Sequence, residues 1–133
     1  MRGDFELALM RYTPDAVLTA EARARVRLDF EPSYRGRDGV RAFIETYQDA
    51  FGDQSYEPKW LVDLGDDLFV MLLQHSLRGR ASGVKVEQVS AHRLQMCNGL
   101  VAREEVHAGP GHDWEPVVRA VGLDPAELTR RSA

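Results

Sequence analysis

The strongest period in the chain is helical. Val40, Phe43, Ile44, Tyr47 and Phe51 recur at spacings of three and four, so one side of an amphipathic helix of about three turns is apolar. Asp38 or Gly39 caps its start, and Gly52-Asp53 ends it. The turn residues Glu31-Pro32-Ser33-Tyr34-Arg35-Gly36 precede it. Further upstream, Asp4 is placed to cap a short helix bearing Phe5, Leu7, Leu9 and Met10, which stops before Thr13-Pro14-Asp15. Between these helices, Ala16 to Phe30 alternates in its second half. Val26, Leu28 and Phe30 share one face and Arg25, Arg27 and Asp29 the other, as in a half-buried strand.

From Ser55 the period becomes two. Tyr56, Pro58, Trp60 and Val62 alternate with Glu57, Lys59, Leu61 and Asp63 up to a reversal at Gly65-Asp66-Asp67. Leu68 to Arg78 begins apolar on both faces, which predicts a central strand covered on both sides, or covered by a helix on one side and a partner subunit on the other. A second reversal at Gly79 to Gly83 leads into a long strand, Val84 to Cys97, whose length implies strong curvature. Asn98-Gly99 predicts a type I′ hairpin, because both residues tolerate positive φ, and a last strand runs from Leu100 to His107. The stretch Glu115 to Leu123 predicts a short helix closed by Gly122, and Asp124 to Ala133 a tail with a frayed turn. Helices followed by four strands on short turns favour an α+β antiparallel meander over a parallel βαβ fold, with the helices on one concave face and a cone-shaped cavity between.

Composition narrows the function classes. The chain has 133 residues, 44% hydrophobic and 29% charged, which suits one domain, expected over 1–123 with 124–133 as the tail. A net charge of −4 with arginines interleaved among acids offers no field for nucleic acid. A single cysteine, Cys97, excludes an intrachain disulfide and a thiolate zinc cage, as suits a cytoplasmic protein. No apolar run is long enough to span a bilayer. His75, His92, His107 and His112 form no i, i+4 pair and no two-cysteine motif accompanies them, so no metal is expected, and without a phosphate loop or dinucleotide glycine pattern no cofactor is either.

Several short segments then acquire a joint meaning: Arg2-Gly3-Asp4-Phe5-Glu6 before Pro14-Asp15, Tyr34-Arg35-Gly36-Arg37-Asp38-Gly39-Val40, Gly65-Asp66-Asp67, Arg80-Ala81-Ser82-Gly83-Val84 and Asn98-Gly99. Their order and spacing resemble SnoaL-like domains of the nuclear transport factor 2-like superfamily, from about Arg2 to Leu123. That resemblance implies a curved sheet wrapped with helices around a pocket. It implies no single chemistry, since the superfamily includes polyketide cyclases, ketosteroid isomerases, limonene epoxide hydrolases and pocketed proteins without known activity. Family members usually carry a further helix before the Arg-Gly-Asp-Phe segment. This chain starts at that segment, so either the start lies upstream or the pocket is more open.

His92 is the first candidate for chemistry. It shares strand parity with Leu94 and Met96 and is expected to face the pocket as a general acid or base, or else as a structural histidine bonded to a carbonyl. Glu104 shares parity with Leu100, Ala102 and Val106, so it is expected to join His92 unless a bulge turns it outward in favour of Arg103 and Glu105. Asp29 is a third candidate: it falls near the place where the resemblance puts the isomerases' proton-transferring aspartate, although its parity is that of a solvent-facing carboxylate. In the same comparison the second isomerase acid falls on Ala91, which disfavours steroid isomerisation. Arg27, Asp29 and Arg93 do not assemble into the Asp-Arg-Asp network of an epoxide hydrolase. Tyr34, Tyr47, Trp60 and Phe69 are expected to line the pocket or the core, and His75 to be a second pocket group or an interface residue.

Two readings follow. One is a cofactor-independent isomerase, cyclase or hydrolase acting on a small hydrophobic molecule through acid/base residues. The other is a non-catalytic ligand-binding or dimerisation module. Either way a homodimer through the sheet face is expected, because the outer face of Leu68 to Leu73 would otherwise leave apolar side chains in water.

Overall fold

The computed structural model of the protein describes residues 9–20 and 33–132. Most of the first expected helix and the alternating stretch around Val26, Leu28 and Phe30 lie outside those residues. Within them the chain forms β1 (Tyr12–Ala20), β2 (Ser33–Arg35), α1 (Gly36–Ala50), β3 (Phe51–Gly65), β4 (Leu68–Gly79), β5 (Lys85–Cys97), β6 (Leu100–Pro110), α2 (Glu115–Ala120) and α3 (Pro125–Ser132). The six strands make one sheet in the order β2-β1-β6-β5-β4-β3. Strands β3 to β6 are the antiparallel meander that the period-two segments predict. The sheet as a whole is mixed, because β1 runs parallel to β6. The reversals carry the expected backbone: Gly65, Asp66 and Asp67 all have positive φ, and so do Asn98 (53°) and Gly99 (80°), as a two-residue primed turn requires.

Several elements differ from the sequence expectation, beginning with Ser33–Arg35, expected as part of a turn, which pairs with β1 as strand β2. Strand β1 begins at Tyr12, before Pro14 rather than after it. The missing proline N–H falls in an irregular stretch, where the register against β6 jumps between Tyr12 and Val17. Phe51, expected to end the long helix, opens β3 instead, pairs with Gly79 and is buried.

Both faces of the sheet carry a core. On one, α1 packs Val40 and Phe43 against Leu18, Ala20, Val106 and Ala108. On the other, Val117, Val118 and Val121 around α2 meet Val62, Val70, Leu72, Val89 and Ala91. The helices therefore do not all share one concave face. Residues 125–132, expected as a frayed tail, form α3 and place Leu128 in that second core. The apolar outer face of β4 is thus covered by the chain's own C-terminal segment. Val70 and Leu72 are fully buried there, while Phe69 and Met71, on the opposite face, stay half-buried. Among the described residues no helix is long and apolar enough to cross a membrane.

Because Leu72 sits at the centre of the second core, Leu72→Ala should lower stability by about 2–5 kcal/mol. Leu61→Ala, on the solvent side of edge strand β3, should change it by less than about 0.5 kcal/mol. Urea unfolding of the two variants checks the contrast; equal losses would mean that α2 and α3 do not cover this face.

Candidate functional site

On the α1 side of the sheet, strand parity selects one line of polar groups. In β5, Gln88, Ser90, His92 and Leu94 point the same way, opposite the buried set Val89 and Ala91. Across β4 and β6, His75 stands opposite Gln88, and Glu104 opposite Leu94. His75 and Ser90 are therefore diagonal neighbours, and so are His92 and Glu104. Such diagonals lie within reach of long side chains.

The contacts follow that diagonal. The His92 ring donates from Nδ1 to Glu104 Oε2 at 2.6 Å, and the Tyr12 hydroxyl donates to Glu104 Oε1. Ser90 Oγ lies 3.0 Å from His92 Nε2 and 2.7 Å from His75 Nε2. The result is a continuous chain: Tyr12, Glu104, His92, Ser90, His75. Glu104 is only 6% exposed, yet the His92 side chain keeps 12% of its surface open.

Glu104 faces inward although β6 is bulged. Gln95 pairs with Arg103 but Met96 with Val101, so the extra residue is Ala102, on the hairpin side of Glu104. The bulge substitutes Val101 for Ala102 on the inner face and leaves Glu104, Val106 and Ala108 where parity puts them. The irregularity in β1 acts in the same sense, letting Tyr12 pair with Val101 while Leu18 pairs with Glu104. Arg37 Nε donates to the Tyr12 carbonyl at 3.0 Å and so ties this end of β1 to the first turn of α1.

Electrostatics agree with the geometry. Burial pushes the Glu104 carboxyl up, but the hydrogen bond and charge of His92 and the Tyr12 hydroxyl outweigh it, leaving the group below its ordinary value and ionised. The Tyr12 phenol is held far above its usual range, first by burial and then by the Glu104 charge, so it stays a donor. His75 is lowered to about 4 by burial and by the neighbouring His92.

The other expected site residues fall elsewhere. Trp60 does not join His92. The β3–β4 register steps from Pro58 opposite Leu73 to Trp60 opposite Leu72, and this irregularity turns Trp60 and Val62 to the far face. There Trp60 meets Trp114 edge-on at 5.2 Å. Tyr34 belongs to the α1 core, its ring edge-on to Phe43 at 5.4 Å. Phe69 shares the His92 face, opposite Leu94. The Tyr47 side chain and Asp29 lie outside the described residues. Tyr12 and Ser90 escape a reading focused on His and carboxylates. Ser90 has a signal, its place two residues before His92 on the same strand face, whereas Tyr12 is 92 residues from its partner. An open groove of about 160 Å³, lined by Gln54, Ser55, Ser76, Leu77, Arg78 and Lys85, shares no residue with the relay.

Comparison with known proteins identifies the family and the fold. The model of the SnoaL-like domain matches residues 1–104. The chain belongs to the SnoaL-like domain family. Among solved structures, an NTF2-like protein of unknown function from Burkholderia pseudomallei is 20% identical, with a TM-score of 0.70 over 92% of this chain and 88% of that one. A candidate SnoaL-like polyketide cyclase from Jannaschia sp. CCS1 is 15% identical, with a TM-score of 0.68 over 92% and 81%. TerC, co-crystallised with polyporic acid, is 18% identical, with a TM-score of 0.69 over 80% and 79%. At these identities the likeness is one of fold. No curated protein sequence is significantly similar to the chain. This SnoaL-like chain therefore combines a fold shared with its neighbours and a relay built from its own residues.

The relay should make stability pH-dependent. The unfolded His75 titrates at 6.5 and the folded one at about 4, so between those values the unfolded state binds more protons. Stability is whole above 6.5 and falls as the pH drops toward 4, by at most roughly 3 kcal/mol. Glu104 adds to the loss at lower pH, because its depressed carboxyl stabilises the fold only while ionised. Urea midpoints from pH 7 to 4.5 should decline for the native sequence and flatten for His75→Asn; an unchanged slope in the variant would show that His75 is not held neutral.

Proposed function

We propose that this SnoaL-like protein binds a small, largely apolar carbonyl compound on the His92 face of its sheet and moves a proton to or from it, with no cofactor required for that step. The observation that carries the reading is the 2.6 Å bond from His92 to a nearly buried, ionised Glu104. A carboxylate fixed at Nδ1 orients the ring, leaves Nε2 as the basic atom and stabilises the imidazolium that forms on proton uptake. The neighbours on that face are apolar: Met71 stands opposite His92, with Leu73, Phe69 and Leu94 beside it. A ligand there would meet hydrophobic contact around one convergent polar line, the usual constitution of a small-molecule site.

An isomerisation or cyclisation needs no more than this. Acyl-enzyme hydrolysis is less well served. Ser90, His92 and Glu104 have the order of a nucleophilic triad, but Ser90 is 2% exposed in a strand bonded on both sides, through Leu73 and Ala108. Its neighbouring backbone N–H groups belong to the ladder and are not free to cradle an oxyanion. The same reasoning favours proton transfer over the purely structural module, because a sheet face needs no buried carboxylate to pack.

Exchange of α-protons in D2O, followed by NMR on a panel of cyclic ketones and diketones, tests the reading. At least one compound should exchange faster with the protein than with buffer. His92→Asn should cut that rate about 100-fold or more, and Glu104→Gln at least about tenfold. Exchange that survives His92→Asn, or no acceleration and no saturable binding across the panel, would sink the proposal.

A further inference from the structure

The hydrogen-bond directions along the relay are fixed by its ends. Glu104 is ionised and can only accept, so His92 must carry a proton at Nδ1. In a neutral His92 the other nitrogen, Nε2, is then an acceptor, and the Ser90 hydroxyl donates to it. A hydroxyl has one proton, so Ser90 Oγ must accept from His75, which places the His75 proton on Nε2. His75 Nδ1 is left as a lone-pair acceptor with no hydrogen-bond partner among the described residues. The ring is part-buried rather than sealed, and faces Tyr56 of β3 at a centroid distance of 6.1 Å.

His92 has no such free atom, since both of its ring nitrogens are engaged. Resting on the proton-transfer reading above, we propose that His75 is the catalytic residue that touches the ligand, its Nδ1 taking the proton while Ser90 passes an equivalent proton on to His92. The step balances without any co-reactant. The ligand's acidic C–H or O–H bond breaks, its proton binds His75 Nδ1, and its electron pair stays on the ligand as an enolate or alkoxide. The His75 Nε2 proton moves to Ser90 Oγ, and the Ser90 proton moves to His92 Nε2. His75 ends neutral with its proton on Nδ1, and the positive charge rests on His92, against Glu104. Running the same path backwards returns a proton to the ligand at the same or another position.

This arrangement explains why a histidine that is itself a poor base can stand at the ligand. His75 is held neutral by burial and by His92, so it need only change tautomer, never carry the charge. Ser90 is a conductor, and its burial suits that role. The His75 ring also lies beside Tyr56, so a ligand that reaches it has its acidic end toward β3 and its apolar body along Leu73 and Met71.

The relay predicts a signature that requires no ligand. Nitrogen-15 NMR of the histidine rings in the full chain should find His75 protonated at Nε2 and His92 at Nδ1 while both are neutral. Whenever His92 Nε2 carries a proton, Ser90 must accept from it and donate to His75, so His75 should then hold its proton on Nδ1 while staying neutral. The titratable groups facing the pair are Tyr12 from β1, Glu104 from β6 and Tyr56 from β3. Ser90→Ala should uncouple the switch, and Ser90→Thr should retain it. A His75 proton on Nδ1 while His92 Nε2 is unprotonated, or a His75 tautomer that does not follow the His92 proton, would overturn the relay. The ketone assay separates the two ideas: a tautomer switch without any ligand exchange keeps the relay and rejects the function. Exchange lost in His92→Asn but kept in His75→Asn does the reverse.

Discussion

A buried carboxylate has to be answered by donors, and much of the local structure around Glu104 supplies that answer. Leaving an ionised carboxylate unpaired at this depth would cost several kcal/mol, more than a small domain can usually spare. Two donors meet it from opposite directions, His92 from β5 and Tyr12 from β1. Strand β1 can deliver its tyrosine only because the chain is irregular between Tyr12 and Val17, where Pro14 interrupts the ladder. Strand β6 keeps the carboxylate inward only because its bulge falls at Ala102 and not beyond it. The position of one charge thus ties together the parallel β1–β6 pair, two bulges and the first turn of α1, which holds the Tyr12 carbonyl through Arg37.

The same sheet sorts its two faces by chemistry. The face under α2 and α3 is filled with valine and leucine, and there the side chains interlock as a core. The other face divides. Near β1 and β2 it is closed by α1 with Tyr34, Val40 and Phe43. Toward β4 and β5 it carries the polar diagonal among Met71, Leu73, Phe69 and Leu94. A core on one side makes the strands rigid, and a rigid pair of strands fixes the distances of 2.6 to 3.0 Å on the other side.

How much of this was legible follows from which interactions are local. Period two and the Asn98-Gly99 turn place β4, β5 and β6 well, and so they place His92, Glu104 and His75 on facing strands. The fate of Trp60 was not legible, because one irregular residue near Pro58 inverts parity and no composition rule marks it. Tyr12 was hidden by distance along the chain, and by a proline that reads as a stop although the strand absorbs it at a bulge. What covers Val70 and Leu72 is not a local property either. A doubly apolar strand says only that both faces are buried, and a partner subunit and the chain's own C-terminal helices satisfy that equally well.

A serine flanked by two histidines also bears on what kind of chemistry a central strand can host. Nucleophiles that form covalent intermediates need room for a tetrahedral centre and donors aimed at its oxygen, and a strand bonded on both edges offers neither. Proton transfer needs only aligned donors and acceptors that can reverse direction together. A run of diagonal neighbours on one face of a twisted sheet supplies such alignment at little conformational cost, because each side chain is already held by its strand. The order His75, Ser90, His92, Glu104, Tyr12 has a base at one end and a tightly bound anion near the other. The anion sets the resting direction of the hydrogen bonds, and burial keeps bulk water from reversing it.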